Sequence, residues 1–496
     1  MEGGKEYIGF SLYIGVAYLS CSYCHRSYPL ELPSSTCPTC GGWLRASYDY
    51  HAIGERLSKE ALKARGFNAW RYLEVLPARP EWRVVSLGEG GTFLHQGRKL
   101  AEEVGIEGLY LKDETTNPTG SFLDRGSSVL TTRLLGLSMK RVACASAGNL
   151  GASLAAYAAK AGLQCTVYTT RQVDLGKLYQ MAAYGAHVRT LASLSEAEEE
   201  AKRSGGFYAS SIDPFFLEGL KTTMWEVCEQ LQWSCPDVLV VPVGTGGHLF
   251  MAWRALKEME ALGFIEEAPT RLVAVQTKGC SPIVEAFKQG LDRPAPLERV
   301  SVYIPDIGFP NPPLGSEVLR AVRETGGTAV AVGYDEALQA MRQLAELEGV
   351  FCEPAAASTL AGLKRLLEEG WIDRDESVVC VITGEGLKDP RAALKLRELD
   401  LKATELLMEA KAGGRLGRTK VEVLRALAGG RAHGYGIWAR LKELGVSITL
   451  PSLYQHLREL LAMGLVREAG VEVKNGRRRK LYALTERGLE VSSHAS

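Results

Sequence analysis

Between about residues 46 and 400 one pattern recurs: a short run of β-branched apolar residues, a glycine-rich turn, then a stretch with helical periodicity. The runs Arg141 to Ala145, Cys165 to Thr169, Val238 to Val243, Leu272 to Gln276 and Val378 to Thr383 are apolar almost throughout. That suits strands buried on both faces rather than strands with one wet side. Alternation of such runs with helices predicts an α/β fold, parallel sheets covered by helices on both faces. Open sheets of this kind hold ligands beyond the carboxyl ends of their strands, which is where the glycine-rich turns fall.

Composition narrows the class further. A chain of 496 residues is too long for one ordinary core and allows three or four units. With 46% hydrophobic and 23% charged residues, it has no uninterrupted apolar run of about 18 residues that could span a bilayer. No membrane association is expected. The start lacks the basic, apolar and small-residue pattern of a secretory signal, so the expected compartment is cytoplasmic and reducing, without disulfides. Charge is uneven: residues 411–496 carry 16 basic against 7 acidic residues, net +9, and the preceding 410 carry 42 against 51, net −9. A basic tail on an acidic body is the footprint of a segment that meets a polyanion.

Cys21, Cys24, Cys37 and Cys40 are spaced C-x2-C-x12-C-x2-C, with Pro38, Gly41 and Gly42 suited to tight knuckles. Two such pairs supply four thiolates to one tetrahedral ion and leave no open position for catalytic water, so structural zinc is expected in a ribbon over residues 1–45. His25 is read as a neighbour of the site. Cys144, Cys165, Cys228, Cys235, Cys280, Cys352 and Cys380 are scattered and read as small buried hydrophobes.

Four glycine-rich turns mark the body: Leu87 to Thr92, Ser146 to Ser153, Gly244 to Gly247, and Thr383 to Pro390. Residues 117 to 126 read Asn-Pro-Thr-Gly-Ser-Phe-Leu-Asp-Arg-Gly. Together with Trp70-Arg71-Tyr72, Lys112-Asp113-Glu114 and Glu218 to Thr222, these segments resemble threonine synthases over about the first 400 residues. The resemblance implies a two-lobed fold-type II pyridoxal phosphate architecture over 46–400. It implies that Asn149 meets the cofactor's ring hydroxyl, that Gly244, Thr245, Gly246 and Gly247 form the phosphate cup, and that Thr383 faces the ring nitrogen. It also implies a lysine at the position held by Leu123. A lysine amine condenses with the cofactor aldehyde and then moves protons at the substrate carbons, whereas leucine has neither nucleophile nor base. No catalytic residue is therefore assigned, and pyridoxal phosphate is expected to bind only noncovalently. Lys112, Lys221 and Lys388 are the lysines weighed as substitutes.

After a helical connector expected over 401–414, residues 415–490 run helix, helix, helix, hairpin. In the third helix Leu453, Leu457, Leu460 and Leu461 share a core face. Ser452, Gln455 and Arg458 then point outward, with Tyr454 on the flank. The hairpin turns at Asn475-Gly476, and Arg477, Arg478, Arg479 and Lys480 follow on a projecting wing. With His433 to Gly436 and Tyr482 to Gly488, this segment resembles PadR-like winged helix-turn-helix repressors. That resemblance implies that Ser452, Tyr454, Gln455, Arg458 and the four wing cations meet DNA. The expected whole is a DNA-binding regulator, a homodimer, whose lysine-less body senses a metabolite such as phosphohomoserine, threonine or pyridoxal phosphate. The alternative is a working threonine synthase that carries an appended winged helix.

Overall fold

The computed structural model describes residues 17–301, 304–396, 418–446, 448–462, 464–474, 477–485, 488–489 and 492. The chain divides into two units, Met1–Arg397 and Glu398–Ser496. The connector expected over 401–414 and the turn at Asn475-Gly476 lie outside the described residues.

In the first unit the apolar runs form two sheets. One orders its strands as His187–Leu191, Gln164–Thr170, Arg141–Ala145 and Phe207–Tyr208, all parallel. The other runs Thr328–Val332, Arg271–Thr277, Val238–Pro242, Ser377–Ile382, Gly108–Asp113 and Phe93–Gln96; only the last pair is antiparallel. Val238–Pro242 is buried at every position, as a strand covered on both faces must be. The helices after these strands start at their carboxyl ends: Asn149–Ala161 follows the first sheet's Arg141–Ala145, and Gly247–Ala261 follows Val238–Pro242. Two lobes result, each presenting its turns toward the other.

The amino-terminal cysteines sit on a small antiparallel sheet of Ser27–Tyr28, Ala17–Cys21 and Leu44–Tyr48. It is packed into the same unit: Trp43 Nε1 donates to Ile212 O at 3.0 Å, and Tyr48 Oη donates to Glu218 Oε2 at 2.8 Å. Among the described residues, no helix is long and apolar enough to cross a membrane.

The second unit has helices Arg418–Ala428, Gly434–Glu443 and Leu450–Ala462 and a hairpin of Val466–Lys474 with Arg477–Leu484. The sequence reading missed one strand, Ala432–His433, which pairs with the hairpin's second strand and makes a three-stranded sheet. At two residues it is too short to show any periodicity. Leu453, Leu457 and Leu460 are buried in this unit's own core, with Leu461 packed at its edge.

Candidate functional site

Three of the four glycine-rich turns converge on one cavity of about 260 Å³. Its walls include Phe122 and Leu123, Ser146 to Leu150, Gly244 to His248, Asp306, Glu353 and Thr383. The turn after Arg141–Ala145 is buckled by Ser146, whose hydroxyl accepts from the N–H groups of Gly148 at 3.1 Å and Gly151 at 3.0 Å. In the Gly244 turn, Gly246 adopts φ +96°, and a Cβ there would stand 2.8 Å from Val318 Cγ2. Only glycine fits. Backbone bonds join the third turn to the segment before Leu123: Phe122 N–H donates to Thr383 O at 3.1 Å, and Glu385 N–H to Gly120 O at 3.0 Å. The fourth turn, Leu87 to Thr92, does not line the cavity. Its Gly90 N–H donates to Asn117 Oδ1 at 3.0 Å, and Glu226 accepts from Gly91 N–H at 2.8 Å, so it braces the fold. A larger open depression of about 890 Å³ lies at Lys278, Gly333, Tyr334 and Lys395. None of the glycine turns reaches it, and Lys278 there is paired with Glu336 at 2.8 Å.

Leu123 opens the helix Leu123–Gly136 and is half-buried on the cavity wall. Among the described residues no lysine lines this cavity. Lys112 is buried, with Nζ 2.8 Å from both Glu226 Oε2 and Gln230 Oε1; burial lowers its pKa against the pull of Glu226. Lys221 lies 2.6 Å from Glu218 and 2.9 Å from Glu258. Lys388 donates to Gln180 Oε1 at 2.8 Å, and burial lowers its pKa. Lys177 is the basic group nearest the cavity's own acids, 2.8 Å from Asp306 and 3.1 Å from Glu353 Oε2. Burial works against its charge, but Asp306 and Glu353 outweigh burial and hold the amine well above the ordinary lysine range. A cation so held is a poor nucleophile.

Asp124 and Arg125, neighbours of Leu123 in sequence, turn away from the cavity. Asp124 accepts from Thr119 N–H and Oγ1, both at 2.6 Å, and burial pushes its carboxyl up to about 6. Arg125 is wholly buried between Glu114 and Glu226, each at 2.6 Å. Both groups hold the helix that carries Leu123.

The Sγ atoms of Cys21, Cys24, Cys37 and Cys40 all lie within 4.8 Å of one another. The N–H groups of Tyr23 and Cys24 point at Cys21 Sγ from 3.3 and 3.4 Å, as knuckle amides do toward a thiolate. Four sulfur donors in this arrangement fit a tetrahedral ion, and His25 is outside the group. Of the remaining cysteines, Cys228 and Cys235 were read as scattered, yet their Sγ atoms are 3.1 Å apart.

On the third helix of the second unit, Tyr454, Gln455 and Arg458 are exposed and Ser452 is half-buried. Gln455 Nε2 donates to Glu459 Oε1 at 3.2 Å. Of the wing cations, Lys480 pairs with Glu468 at 2.7 Å and Arg479 Nη1 lies 3.3 Å from His433 Nε2. The side chains of Arg477 and Arg478 lie outside the described residues.

Residues 85–384 match the family described as pyridoxal-phosphate dependent enzyme. The chain belongs to that family. Residues 423–493 match the transcriptional regulator PadR-like family. The chain is 44% identical over 388 residues to a threonine synthase of Methanocaldococcus jannaschii, covering 77% of this chain and 95% of that protein. With a threonine synthase of Methanosarcina acetivorans the identity is 39% over 387 residues, covering 77% and 94%. Solved structures with its fold include two enzymes. The processed threonine deaminase isoform 2 of Solanum lycopersicum has TM-score 0.55 and 20% identity, covering 67% of this chain and 93% of that one. An L-serine ammonia-lyase from Rhizomucor miehei has TM-score 0.55 and 19% identity, covering 64% and 99%.

Pyridoxal-phosphate dependent enzymes bind the cofactor their family is named for, and the cavity of this member contains polar atoms without partners. Asn149 donates to Glu353 Oε1 at 2.7 Å, but its own Oδ1 has none. Glu353 and Asp306 were missed in the sequence reading. Glu353 carried a local signal, since Pro354 opens an alanine-rich helix directly after it. His248 was missed too, although it follows the glycine turn immediately. Its ring stacks on Phe122 at 4.3 Å and 8°, Nε2 lies 3.0 Å from Thr223 Oγ1, and Nδ1 has no partner. Burial pushes the His248 imidazole down to about 4, so it is neutral near pH 7.

Proposed function

We propose that this protein is a transcription regulator whose body binds a phosphorylated or amino-acid metabolite without converting it, and whose carboxyl-terminal winged helix binds DNA. The observation that carries this reading is Leu123 on the cavity wall, at the position where the resemblance places the lysine, with no lysine lining the cavity among the described residues. Pyridoxal phosphate fits the groups present. The Gly244 to Gly247 amides and the Thr245 hydroxyl would hold its phosphate, Asn149 its ring hydroxyl and Thr383 its ring nitrogen. When bound, its ring draws electrons from a substrate carbanion. This chain's own residues bind and orient the group. His248, neutral and stacked on Phe122, closes one wall beside the glycine turn, and Glu353 fixes the Asn149 amide. No side chain is placed at the Leu123 position to take up a proton there. Phosphohomoserine and threonine are the other ligand candidates.

In the second unit Tyr454, Gln455 and Arg458 face solvent together, as major-groove contacts require, and the basic wing would displace counterions from the phosphate backbone. Two recognition helices of a homodimer would then meet half-sites one helical turn apart. Zinc on Cys21, Cys24, Cys37 and Cys40 would hold the amino-terminal sheet, and the protein would act in the cytoplasm.

A working threonine synthase with an appended winged helix is the second reading, favoured by 44% identity across 95% of such an enzyme. One pair of assays separates them. The regulator binds fragments of its own genome with an affinity that falls steeply with salt, and it releases no phosphate from O-phosphohomoserine above background. Steady phosphate release by the unaltered chain overturns the regulator reading in favour of the enzyme.

A further inference from the structure

We propose that Cys228 and Cys235 form an oxidisable dithiol, a site at which a small-molecule disulfide is reduced while the two residues become linked. Cys228 lies near the end of the helix Thr222–Gln230, and the chain doubles back through Leu231 to Ser234 to bring Cys235 against it. The turn is unusual in backbone. Gln232 and Trp233 adopt φ +59° and +67°, left-handed conformations at two consecutive residues that are not glycine. Packing holds them there. Trp233 N–H donates to Cys228 O at 2.6 Å; the Trp233 ring lies 4.7 Å from Phe264 and 6.2 Å from Trp225, with Lys59 Nζ 5.6 Å above it. The result is an Sγ to Sγ separation of 3.1 Å across a seven-residue spacing. Cys144, Cys165, Cys280, Cys352 and Cys380 are buried, as small apolar residues are.

The two sulfurs differ in a way that assigns their roles. Cys235 is half-buried, whereas Cys228 is fully buried. The hydrogen bond with Cys228 lowers the pKa of the Cys235 thiol, and burial raises that of Cys228. Cys235 is thus the attacking group and Cys228 the resolving one. Cys235 Sγ attacks one sulfur of a disulfide RSSR, breaking its S–S bond and releasing RS⁻. Cys228 then gives up its proton and attacks Cys235 Sγ, expelling the second RS⁻. Two protein thiols are oxidised and one RSSR is reduced to two RSH, so atoms and electrons balance. The bond would fasten the end of a helix that carries Thr223, the partner of His248, and Glu226, the partner of Arg125.

The test treats the full-length protein with oxidised glutathione, blocks remaining thiols with iodoacetamide and maps peptides after cleavage at Glu229, which separates the two cysteines. The expected product is two peptides joined until dithiothreitol is added, with no glutathione retained. Cys228→Ser should leave Cys235 as a stable glutathione adduct, and Cys235→Ser should leave Cys228 unmodified. The wild-type map decides the matter even where a variant folds poorly. Persistence of the glutathione adduct on wild-type Cys235, or alkylation of both cysteines after oxidant, overturns the proposal.

Discussion

Returning an amine to position 123 perturbs the cavity at the point where the two functional readings diverge. Leu123→Lys exchanges a half-buried branched side chain for a longer stem with a cation at its end. Loss of apolar contact for a half-buried leucine costs about 1 kcal/mol. A cation in the first turn of the helix Leu123–Gly136 costs about 0.3–1 kcal/mol more, and Glu353 on the same cavity wall offsets part of that. The total, about 1–2 kcal/mol, lies well inside the stability of an ordinary domain, about 5–15 kcal/mol, so the variant should fold. In return it gains a nucleophile and a base, and a positioned base alone is worth on the order of 10²- to 10⁴-fold. With pyridoxal phosphate supplied, the variant should release phosphate from O-phosphohomoserine on the order of 10²- to 10⁴-fold faster than the native chain. After borohydride, peptide mapping should find the cofactor fixed at position 123. Leu123→Met, a control of similar volume without an amine, should show none of this. A folded Leu123→Lys variant that binds the cofactor yet carries no borohydride-fixed label at position 123 would refute the placement of the lysine slot. A native chain as fast as the variant would refute the need for it.

Other expectations follow from the surroundings of the site. Glu226→Gln leaves Arg125 and Lys112 short of charge in a fully buried cluster and should cost about 3–5 kcal/mol in urea unfolding. Because the His248 pKa is about 4 folded against 6.5 ordinarily, its contribution to stability is complete above 6.5 and lost as pH falls toward 4. That loss is at most roughly 3 kcal/mol, and His248→Gln should flatten that part of the stability–pH curve. Chelation, or Cys40→Ser, should remove zinc measured by elemental analysis and lower the melting temperature. Arg458→Ala should reduce the slope of log affinity against log salt by about 0.9 in a DNA anisotropy titration.

Five strands were legible in the sequence because apolar runs such as Val238–Pro242 leave a clear signature, whereas the largely buried Gly108–Asp113 and Thr328–Val332 were not among the runs named. Phe93–Gln96 and His187–Leu191 escaped notice because they are exposed or half-buried and carry polar residues. Glycine turns could be read as ligand loops one by one, but their convergence is tertiary. Nothing local distinguished the Leu87 to Thr92 turn, which braces the fold, from the three that line the cavity. Asn149 was legible from its loop, whereas its partner Glu353 lies 204 residues away. Lys177 and Asp306 are 129 residues apart and meet only through folding. Asp124 and Arg125 show the converse: they adjoin Leu123 in sequence, yet helical geometry turns both into the core. In the winged helix the leucine spacing fixed the buried face correctly because a period of 3.6 survives in one short element.

Metabolite-controlled regulation would require coupling between ligand binding in the cavity and DNA binding by the second unit. Anisotropy titration of the full chain on DNA that it binds, with and without saturating pyridoxal phosphate or O-phosphohomoserine at fixed salt, measures that coupling. A sensing body predicts that one of these ligands shifts DNA affinity by about 5- to 150-fold, and that DNA shifts the ligand's affinity by the same factor. Tight binding of both ligand and DNA with neither affinity altered by the other would contradict it.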